Sequence, residues 1–328
     1  MSVKDEFERL FANEMSEEEA RRFLTGLYEK GESAEDVTAA VEVMREHSVK
    51  LPLSEELRSR AIDIVGTGGD KSGSFNISTT VALLLSSMGS VVAKHGNRSI
   101  TSRSGAADLL EALGYRLDMD VDRQIKMLEE TGFTFIFAIN HHPAMKHIMP
   151  VRKSIPHRTV FNIMGPLTNP AGASKYLMGV FSPDFIDTMA GVLKALDTKD
   201  AFVVSSDDGM DEISISTTTR YAHVFRHEGE VKIERGTIDP REFGLELAPR
   251  EEIAGGDARF NAEITKKVLS GEERGAKRDI VLLNAAYALV ADGSASDVKD
   301  AMSMASEAIE SGRAASHLKK IVDLSHRI

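Results

Sequence analysis

The chain has 328 residues, of which 42% are hydrophobic and 28% charged, as expected for a folded protein of one large domain or two unequal ones. Its formal net charge of −11 argues against a passive affinity of the whole surface for nucleic acid. The absence of cysteine excludes disulfides and thiolate catalysis. No apolar signal-peptide core and no bilayer-length apolar run are visible, so we expect a cytoplasmic protein without a membrane partner.

The N-terminal sixty residues have the pattern of helices only. An apolar helical face recurs around Phe7, and Ser16 with Glu19 has the spacing of a capping box. Ser33 begins another amphipathic helix. The pattern predicts a small helical bundle, and the alternative is that part of its apolar surface is kept for a partner subunit.

From Ile62 onwards, short β-type runs alternate with helical ones. The β-type runs are IDIV, VVA, FTFIFA, YLMGV and AFVVS. Such alternation predicts parallel strands joined by crossover helices, and hence an α/β fold with a mainly parallel central sheet. Two further runs around Glu228-Gly229 predict a β-hairpin, and the chain from about Asp257 is helical again.

A proline-rich stretch, 143–170, interrupts this alternation. It contains a run of basic residues and reads as a helical excursion that leaves the sheet and returns. We expect it to pack on the N-terminal helices. The predicted domains are therefore a small helical domain, 1–62 plus about 143–172, and a large α/β domain, 63–142 plus 173–328.

A first glycine-containing loop, GTGGDKSGSFNIST, follows the first predicted strand. Glycines let backbone N–H groups approach an anion, and the start of the next helix favours negative charge. The loop is neither a Walker A motif nor a dinucleotide fingerprint. It predicts a phosphate-binding site, and the alternative is a tight turn with a helix cap. Its polar side chains include Ser74, Asn76, Ser78 and Thr79.

A second loop, KHGNRSITSRSGAAD, follows the next strand. It carries three cations, Lys94, Arg98 and Arg103. Cations and hydrogen-bonding side chains between a strand and a helix suit a polyanion, and the alternative is a solvated surface loop. The hydrogen-bonding residues are Asn97, Ser99, Thr101, Ser102 and Ser104.

Four acidic residues follow the strand AFVVS. Carboxylates at the C-terminal end of a strand, beside a phosphate loop, suggest Mg²⁺. We interpret Asp207 and Asp208 as a solvated loop, and Asp211 with Glu212, which precede a β-type run ISIS, as the metal-binding pair. No His/Cys spacing suggests zinc, and no Ser-His-Asp constellation is recognisable.

These motifs together resemble anthranilate phosphoribosyltransferases. The resemblance rests, in chain order, on GTGGD, FNIST, KHGNRS, SRSGAADLLEALG, HPAMKH, RTVFNIMGPLTNP and DEIS, and it covers nearly the whole chain. The KHGNR and SGAAD motifs alone are less specific, since pyrimidine nucleoside phosphorylases of the same fold class carry similar ones. GTGGD combined with RTVFN and GPLTNP points to the tryptophan-pathway enzyme.

The resemblance implies a reaction. Anthranilate and phosphoribosyl pyrophosphate (PRPP) would give N-(5-phosphoribosyl)anthranilate and pyrophosphate, with two Mg²⁺ ions per active site. It also implies a homodimer formed through the small helical domain. Because the aryl amine is neutral at physiological pH, we expect no essential general base.

The resemblance also assigns residues by motif. PRPP would be bound by Gly66, Gly69, Asp70, Ser74, Asn76, Ile77, Ser78, Thr79, Lys94, His95, Gly96, Asn97, Arg98, Ser99, Ser102 and Ala106. Anthranilate would be bound by Gly66, Asn97 and Arg152, and the metal by Ser78, Asp211 and Glu212. Ala106 replaces a frequent serine, and SSDDGM, INHHP and SIPHRT also depart from the common pattern, which leaves details of substrate affinity open.

Two rival functions remain from the sequence. A pyrimidine nucleoside phosphorylase would bind inorganic phosphate and a nucleoside. A non-catalytic relative that binds nucleic acid should be basic and should lack the acidic pair, whereas this chain is acidic and retains Asp211 and Glu212.

Overall fold

The N-terminal helices begin at reciprocal serine caps. In this computed structural model, which describes residues 2–99 and 103–328, the hydroxyl of Ser16 accepts the N–H of Glu19, whose carboxylate accepts the N–H of Ser16 at 2.8 Å. Ser33 forms the same capping box, and Phe7 is buried, so these predictions are confirmed. The helices are α1 (Val3–Phe11), α2 (Glu17–Lys30), α3 (Ala34–Glu46) and α4 (Glu55–Arg60).

A seven-stranded sheet organises the rest of the chain. Its order is β3-β2-β1-β4-β5-β6-β7, with parallel pairing from β3 to β5 and an antiparallel hairpin at the end. The strands are β1 (Ala61–Gly66), β2 (Val91–Gly96), β3 (Phe133–Phe137), β4 (Lys175–Gly179), β5 (Asp200–Ser206), β6 (Thr219–His227) and β7 (Glu230–Ile238). The predicted α/β class and the hairpin are confirmed.

Two cores lie on opposite faces of this sheet. One contains inward residues of β1 such as Ile62 and packs against the C-terminal helices. The other contains Ala93 and Met178 and continues into the N-terminal helices. The helices of the sheet domain are α5 (Ile77–Ser87), α6 (Ala106–Ala112), α7 (Val121–Thr131), α11 (Ile186–Ala195), α12 (Ala258–Ser270), α13 (Ala276–Asp292), α14 (Val298–Glu310) and α15 (Arg313–Ser325). Within the described ranges, no helix has the length and apolarity needed to cross a membrane.

The proline-rich excursion is helical and packs on the N-terminal helices, as predicted. It forms α9 (Met145–Ser154) and α10 (Phe161–Met164), then a 3₁₀ turn, and the short α8 (Ala138–His141) directly precedes it. A ring nitrogen of His147 lies 3.1 Å from the carbonyl oxygen of Leu10, and Arg21 donates to Ser154 at 3.1 Å. The proposed domain boundary at 62 lies one residue inside β1, and the division into domains stays a prediction.

One predicted β-type run is wrong. The ISIS segment, 213–216, forms no strand. Its backbone is instead satisfied by Asn284 of α13, whose amide accepts the N–H of Ile213 at 3.0 Å and donates to the carbonyl of Ile213 at 2.8 Å. The alternation of apolar side chains reflects burial against the helix, because Ile213 and Ile215 are both buried.

Candidate active site

The predicted loops converge at the C-terminal ends of the parallel strands. The first loop joins β1 to α5, the second joins β2 to α6, and the acidic turn follows β5. Because β1, β2, β4 and β5 run in parallel, their C-terminal ends lie at one edge of the sheet, where α/β proteins bind ligands.

Two glycines seat the acidic turn against the sheet. A Cβ at Gly179, the last residue of β4, would lie 1.6 Å from the carbonyl oxygen of Asp211. A Cβ at Gly66 would lie 2.4 Å from the Asp211 carboxylate, which accepts the N–H of Gly68 at 2.7 Å. The first glycine loop therefore touches the predicted metal-binding turn directly.

Acidic groups crowd together at this contact. Glu212 accepts the backbone N–H of Ser78 at 3.2 Å. Burial and the neighbouring Asp211 charge raise the pKa of Glu212 well above its usual range. Burial, with the Asp70 carboxylate nearby, raises the pKa of Asp211 to about 7. Burial is the larger cause of both shifts, and repulsion between neighbouring carboxylates, which a bound cation would relieve, adds to it.

The donor set fits Mg²⁺ held jointly with a substrate. Within the described part of the chain, no group of three or more His, Asp or Glu side chains is arranged to hold a metal. The protein therefore offers a pair of carboxylates, Asp211 and Glu212, beside Ser78. Mg²⁺ characteristically uses one or two carboxylates and completes its shell with substrate oxygens and water.

Lys94 lies beneath the site rather than on its surface. Only 2% of the residue is exposed, and its ammonium group donates to the carbonyl of Ile64. Burial lowers the pKa of Lys94, and the carboxylates of Asp63, Glu212 and Asp211 oppose that effect. The Lys94 ammonium group therefore partly compensates the negative charge of Asp211 and Glu212 from beneath the site.

Asp63 is a buried carboxylate that the sequence analysis did not assign. Its two oxygens accept the backbone N–H of His95 at 3.2 Å and the side-chain amide of Asn169 at 2.8 Å. Burial raises the pKa of Asp63 to about 7. Through these bonds, Asp63 ties the returning excursion to the start of the second loop. The sequence does indicate this residue, because Asp63 is a charged residue inside the apolar run IDIV.

His95 lies in the interior, paired with the histidine that directly precedes the excursion. Its Nε2 is 3.1 Å from Nε2 of His142, and both side chains are buried. Burial lowers the pKa of His142 to about 4 and that of His95 well below its usual range, so the pair is neutral at physiological pH. The two residues are 47 positions apart, which hid the pairing from sequence reasoning.

In the second loop, the predicted phosphate-binding cation already has anionic partners. The guanidinium of Arg98 lies 2.8 Å from Asp108 and 2.9 Å from Glu111, and stands 5.8 Å from the centre of the Phe137 ring. Asn97 is exposed and accepts the N–H of Arg98 at 2.8 Å. The ligand role of Arg98 therefore stays a prediction.

Other predicted residues of this loop have simpler surroundings. Ser99 donates its backbone N–H to Asp108 at 3.1 Å. A Cβ at Gly96 would lie 3.2 Å from the Cβ of Ala106, so these two residues pack closely. Thr101 and Ser102 lie outside the described residues.

One amide joins the two loops. Asn76 donates to the carbonyl of Ser104 at 3.0 Å and accepts the Ser104 hydroxyl at 2.9 Å.

The hydroxyl of Ser74 lies 3.0 Å from that of Ser72, inside the first loop. Ile77 is buried, and the hydroxyl of buried Thr79 has no hydrogen-bond partner within residues 2–99 and 103–328. Gly69 has positive φ, which the turn requires.

Asp207 and Asp208 support the acidic turn structurally. Asp207 accepts bonds from Thr218 and Arg220, and Asp208 accepts the hydroxyl of Ser214 at 3.0 Å. Both carboxylates are therefore occupied by loop contacts. This agrees with their interpretation as loop residues rather than metal ligands.

Arg152, near the end of α9, has no anionic partner among the residues that the structure describes. Its guanidinium lies 4.9 Å from the centre of the Phe161 ring and 3.5 Å from the sulfur of Met149. Burial lowers its pKa to about 10, so it is charged at neutral pH. It also makes no hydrogen bond to the described residues of the two loops, so its ligand role stays a prediction as well.

The chain matches two protein-family models and is similar along nearly its whole length to known proteins. The model described as "Glycosyl transferase family, a/b domain" matches residues 58–315, and the model described as "Glycosyl transferase family, helical bundle domain" matches residues 4–48. The chain is 43% identical to an anthranilate phosphoribosyltransferase of Methanobrevibacter smithii, over 97% of this chain and 92% of that relative. It is 44% identical to one of Xanthobacter autotrophicus, over 98% and 91%.

Solved structures give the same answer. The crystal structure of the Thermus thermophilus enzyme superposes with a TM-score of 0.91 at 39% identity, covering 99% of this chain and 94% of that one. The Saccharomyces cerevisiae enzyme, in complex with PRPP and Mg, superposes with a TM-score of 0.84 at 30% identity, covering 95% and 86%. The chain therefore belongs to the anthranilate phosphoribosyltransferase family and is an enzyme of the glycosyltransferase type.

Proposed function

We propose that the chain transfers the 5-phosphoribosyl group of PRPP to the amine of anthranilate, giving N-(5-phosphoribosyl)anthranilate and pyrophosphate. The observation that carries this is the contact of the Asp211–Glu212 turn with the first glycine loop, through Gly68 and Ser78. The N–H groups of these two residues donate to the carboxylates, and the contact brings a carboxylate pair that suits a metal onto a glycine-rich loop of the kind that binds phosphate groups. The yeast relative's complex with PRPP and Mg supports the same ligand here.

Each side of the ligand has proposed partners. Ser78, Asp211 and Glu212 would hold two Mg²⁺ ions, which would neutralise charge on the departing pyrophosphate. The first loop would bind PRPP through backbone N–H groups and the Asn76 amide. The second loop would cover the ribose and phosphates with Asn97 and the residues that follow it. The remaining predicted contacts in these loops are Gly66, Gly69, Asp70, Ser74, Ile77, Thr79, Lys94, His95, Gly96, Arg98, Ser99, Ser102 and Ala106.

The acceptor would be oriented by its carboxylate. Arg152 is a charged, half-buried guanidinium without an acidic partner in the described ranges, so it suits the carboxylate of anthranilate. A yeast relative has been solved in complex with 4-fluoroanthranilate, an analogue of that acceptor. Gly66 and Asn97 would complete the acceptor's surroundings.

The reaction needs positioning more than proton abstraction. The bond from ribose C1 to pyrophosphate oxygen breaks, the bond from C1 to the amine nitrogen forms, and the amine releases one proton. Because the aryl amine is neutral before attack, no side chain has to deprotonate it first. His95 and His142 are buried and paired with each other, consistent with a reaction that needs no histidine base. Orienting both substrates would supply much of the rate enhancement.

A fluorescence assay tests the proposed function. The protein is incubated with anthranilate and PRPP, with and without Mg²⁺, and in parallel with thymidine and phosphate. We expect loss of anthranilate fluorescence only with PRPP and Mg²⁺ together. Phosphorolysis of thymidine without any anthranilate consumption would instead assign the chain to the nucleoside phosphorylase reaction.

We also propose a homodimer formed through the small helical domain. Its helical region exposes the large side chains Tyr28 and Val49, 38% and 43% exposed in the single chain. Light scattering after gel filtration should give twice the chain mass of 35.8 kDa. A monomer at micromolar concentration would contradict this arrangement.

A further inference from the structure

A C-terminal segment, Ile253 to Asn261, lies against the first loop. The carbonyl of Ile253 accepts the N–H of Phe75 at 3.2 Å, and the N–H of Gly255 donates to the carbonyl of Gly73 at 2.8 Å. A Cβ at Gly255 would lie 2.6 Å from the Cα of Phe75, so the two backbones touch. The loop proposed to bind PRPP is therefore supported from behind by residues nearly 180 positions further along the chain.

Asn261 is the side chain that carries this support to the ligand-facing residues. It lies in the first turn of α12 and is only 2% exposed. Its side-chain oxygen accepts the N–H of Gly256 at 2.8 Å. Its amide nitrogen donates to Oδ1 of Asn76 at 2.9 Å. Because the first bond fixes which end of the Asn261 amide is the oxygen, the end facing Asn76 must be the donor.

The orientation of the Asn76 amide follows from this. Its oxygen accepts two bonds, from Asn261 and from the Ser104 hydroxyl, while its nitrogen donates one, to the Ser104 carbonyl at 3.0 Å. A side-chain amide has two N–H groups. Within the described residues, the second N–H of Asn76 has no acceptor. The half-buried Asn76 therefore keeps one donor available at the loop surface.

We propose that Asn261 is a positioning residue that fixes the Asn76 amide with its spare N–H, and not its oxygen, towards PRPP. This rests on the proposed function, because PRPP is the ligand of the first loop. A rotated Asn76 would present an oxygen to an anionic or hydroxyl-rich ligand and would lose the donor. A donor to a phosphate oxygen is a charge-assisted hydrogen bond, which is among the stronger polar contacts.

Asn261→Asp is the discriminating substitution. The aspartate keeps an oxygen for the Gly256 N–H but replaces the donor that faces Asn76 with a second oxygen, which favours the rotated amide. We expect the KM for PRPP to rise about 10- to 100-fold, the range for one charge-assisted hydrogen bond. The KM for anthranilate should change little, whereas the melting temperature should fall, because the substitution buries a carboxylate at a position that is only 2% exposed. Asn261→Ala, which adds no charge, should raise the KM for PRPP in the same direction.

Thr265→Val is the matched control. Thr265 is buried one turn along the same helix, and its hydroxyl lies 2.9 Å from that of Thr80 on α5. The substitution removes a hydrogen bond between the same two helices but no bond of the Asn76 side chain, and the Thr80 hydroxyl can still donate to the backbone carbonyl of Asn76 at 3.0 Å. It should leave the KM for PRPP unchanged. A second readout, independent of turnover, is the PRPP-induced rise in melting temperature with Mg²⁺ and without anthranilate, which should shrink in both Asn261 variants and not in Thr265→Val.

The outcomes separate this inference from the proposed function. If the wild type consumes no anthranilate, the proposed function fails whatever Asn261 does. If the wild type is active but a folded Asn261 variant keeps its KM for PRPP within twofold, the positioning role is overturned. Failure of both variants to fold, or an equal effect of Thr265→Val, would assign Asn261 to the fold and overturn it as well. In Asn76→Ala, adding Asn261→Asp should have little further effect.

Discussion

The two sides of the candidate site carry uncompensated charge of opposite sign. On the sheet side, Asp70, Asp211 and Glu212 crowd together, and the pKa of each of the latter two is raised. On the excursion side, Arg152 has no acidic partner among the described residues. The negative charge on one side is only partly offset by the buried Lys94, and the guanidinium on the other side has no counter-anion in the described ranges, as expected for a site completed by a metal-bound substrate and by a carboxylate-bearing one. Arg98, by contrast, is a balanced cation, because its charge is already compensated by Asp108 and Glu111.

The largest expected effect comes from neutralising the acidic side. The double variant Asp211→Asn/Glu212→Gln should lower kcat/KM by about 1,000-fold or more, because charge stabilisation at the leaving group is among the largest catalytic terms. The ligand-free variant should unfold at a higher temperature than the wild type, since the crowded like charges are gone. Steady-state kinetics and thermal unfolding measure both. Unchanged kinetics would overturn the metal assignment.

The next largest effect is expected on the opposite side. Arg152→Ala should raise the KM for anthranilate about 10- to 100-fold through loss of a charged hydrogen bond, with little change in the KM for PRPP. Lys153→Ala, an exposed neighbour on the same helix, is the matched control and should behave like the wild type. Equal changes in both KM values would indicate a structural role for Arg152 instead.

Arg98 tests whether a balanced cation matters less. Because its guanidinium is partly exposed and already bonded to Asp108 and Glu111, Arg98→Ala should raise the KM for PRPP by less than about fivefold. Kinetics at low and moderate salt measure this. A loss as large as that of Arg152→Ala would mean that Arg98 leaves its carboxylate partners to bind the substrate.

The smallest effect on catalysis, but a clear one on stability, is expected from Asp63. Its folded pKa, about 7, lies above the usual aspartate value, so the folded state holds the proton more tightly. Its contribution to stability is complete below about pH 4 and is lost as the pH rises to about 7, by at most about 1.4 kcal/mol per pH unit. The difference in unfolding free energy between wild type and Asp63→Asn should follow this curve in urea titrations. A difference that is constant with pH would contradict it.

Sequence reasoning found the parts of this site that are local. The glycines, cations and acidic pair follow strands directly, so periodicity and position were enough to place them at one edge of the sheet. The family resemblance then assigned their ligands. The counter-ions of Arg98 could not be predicted from the sequence. Asp108 and Glu111 lie on the next helix, and the residues of the second loop do not indicate that Arg98 bonds to them.

Hydrogen bonds between residues far apart in the chain could not be predicted either. Asn261 contacts Asn76 across 185 positions, and Asn284 satisfies the backbone of the ISIS segment across 71. Nothing distinguishes Asn261 from a surface residue of its amphipathic helix, and Asn284, although it stands in the apolar run IVLLNAAYALV, carries no sign of which backbone segment it bonds. The apolar alternation of ISIS predicts a strand, because an irregular segment that buries an apolar side chain at every second residue has the same period as a strand.

The two glycines beneath Asp211 limit how this site can be altered. A Cβ at 179 would overlap the peptide oxygen of Asp211, and one at 66 would overlap its carboxylate. A library that varies every position of the cleft should therefore return glycine alone at 66 and 179, whatever acceptor is used for selection. Residues on the excursion carry no such restriction. Substitutions that adapt the enzyme to other aromatic amines should therefore be tolerated around Arg152 and rarely beside the acidic turn.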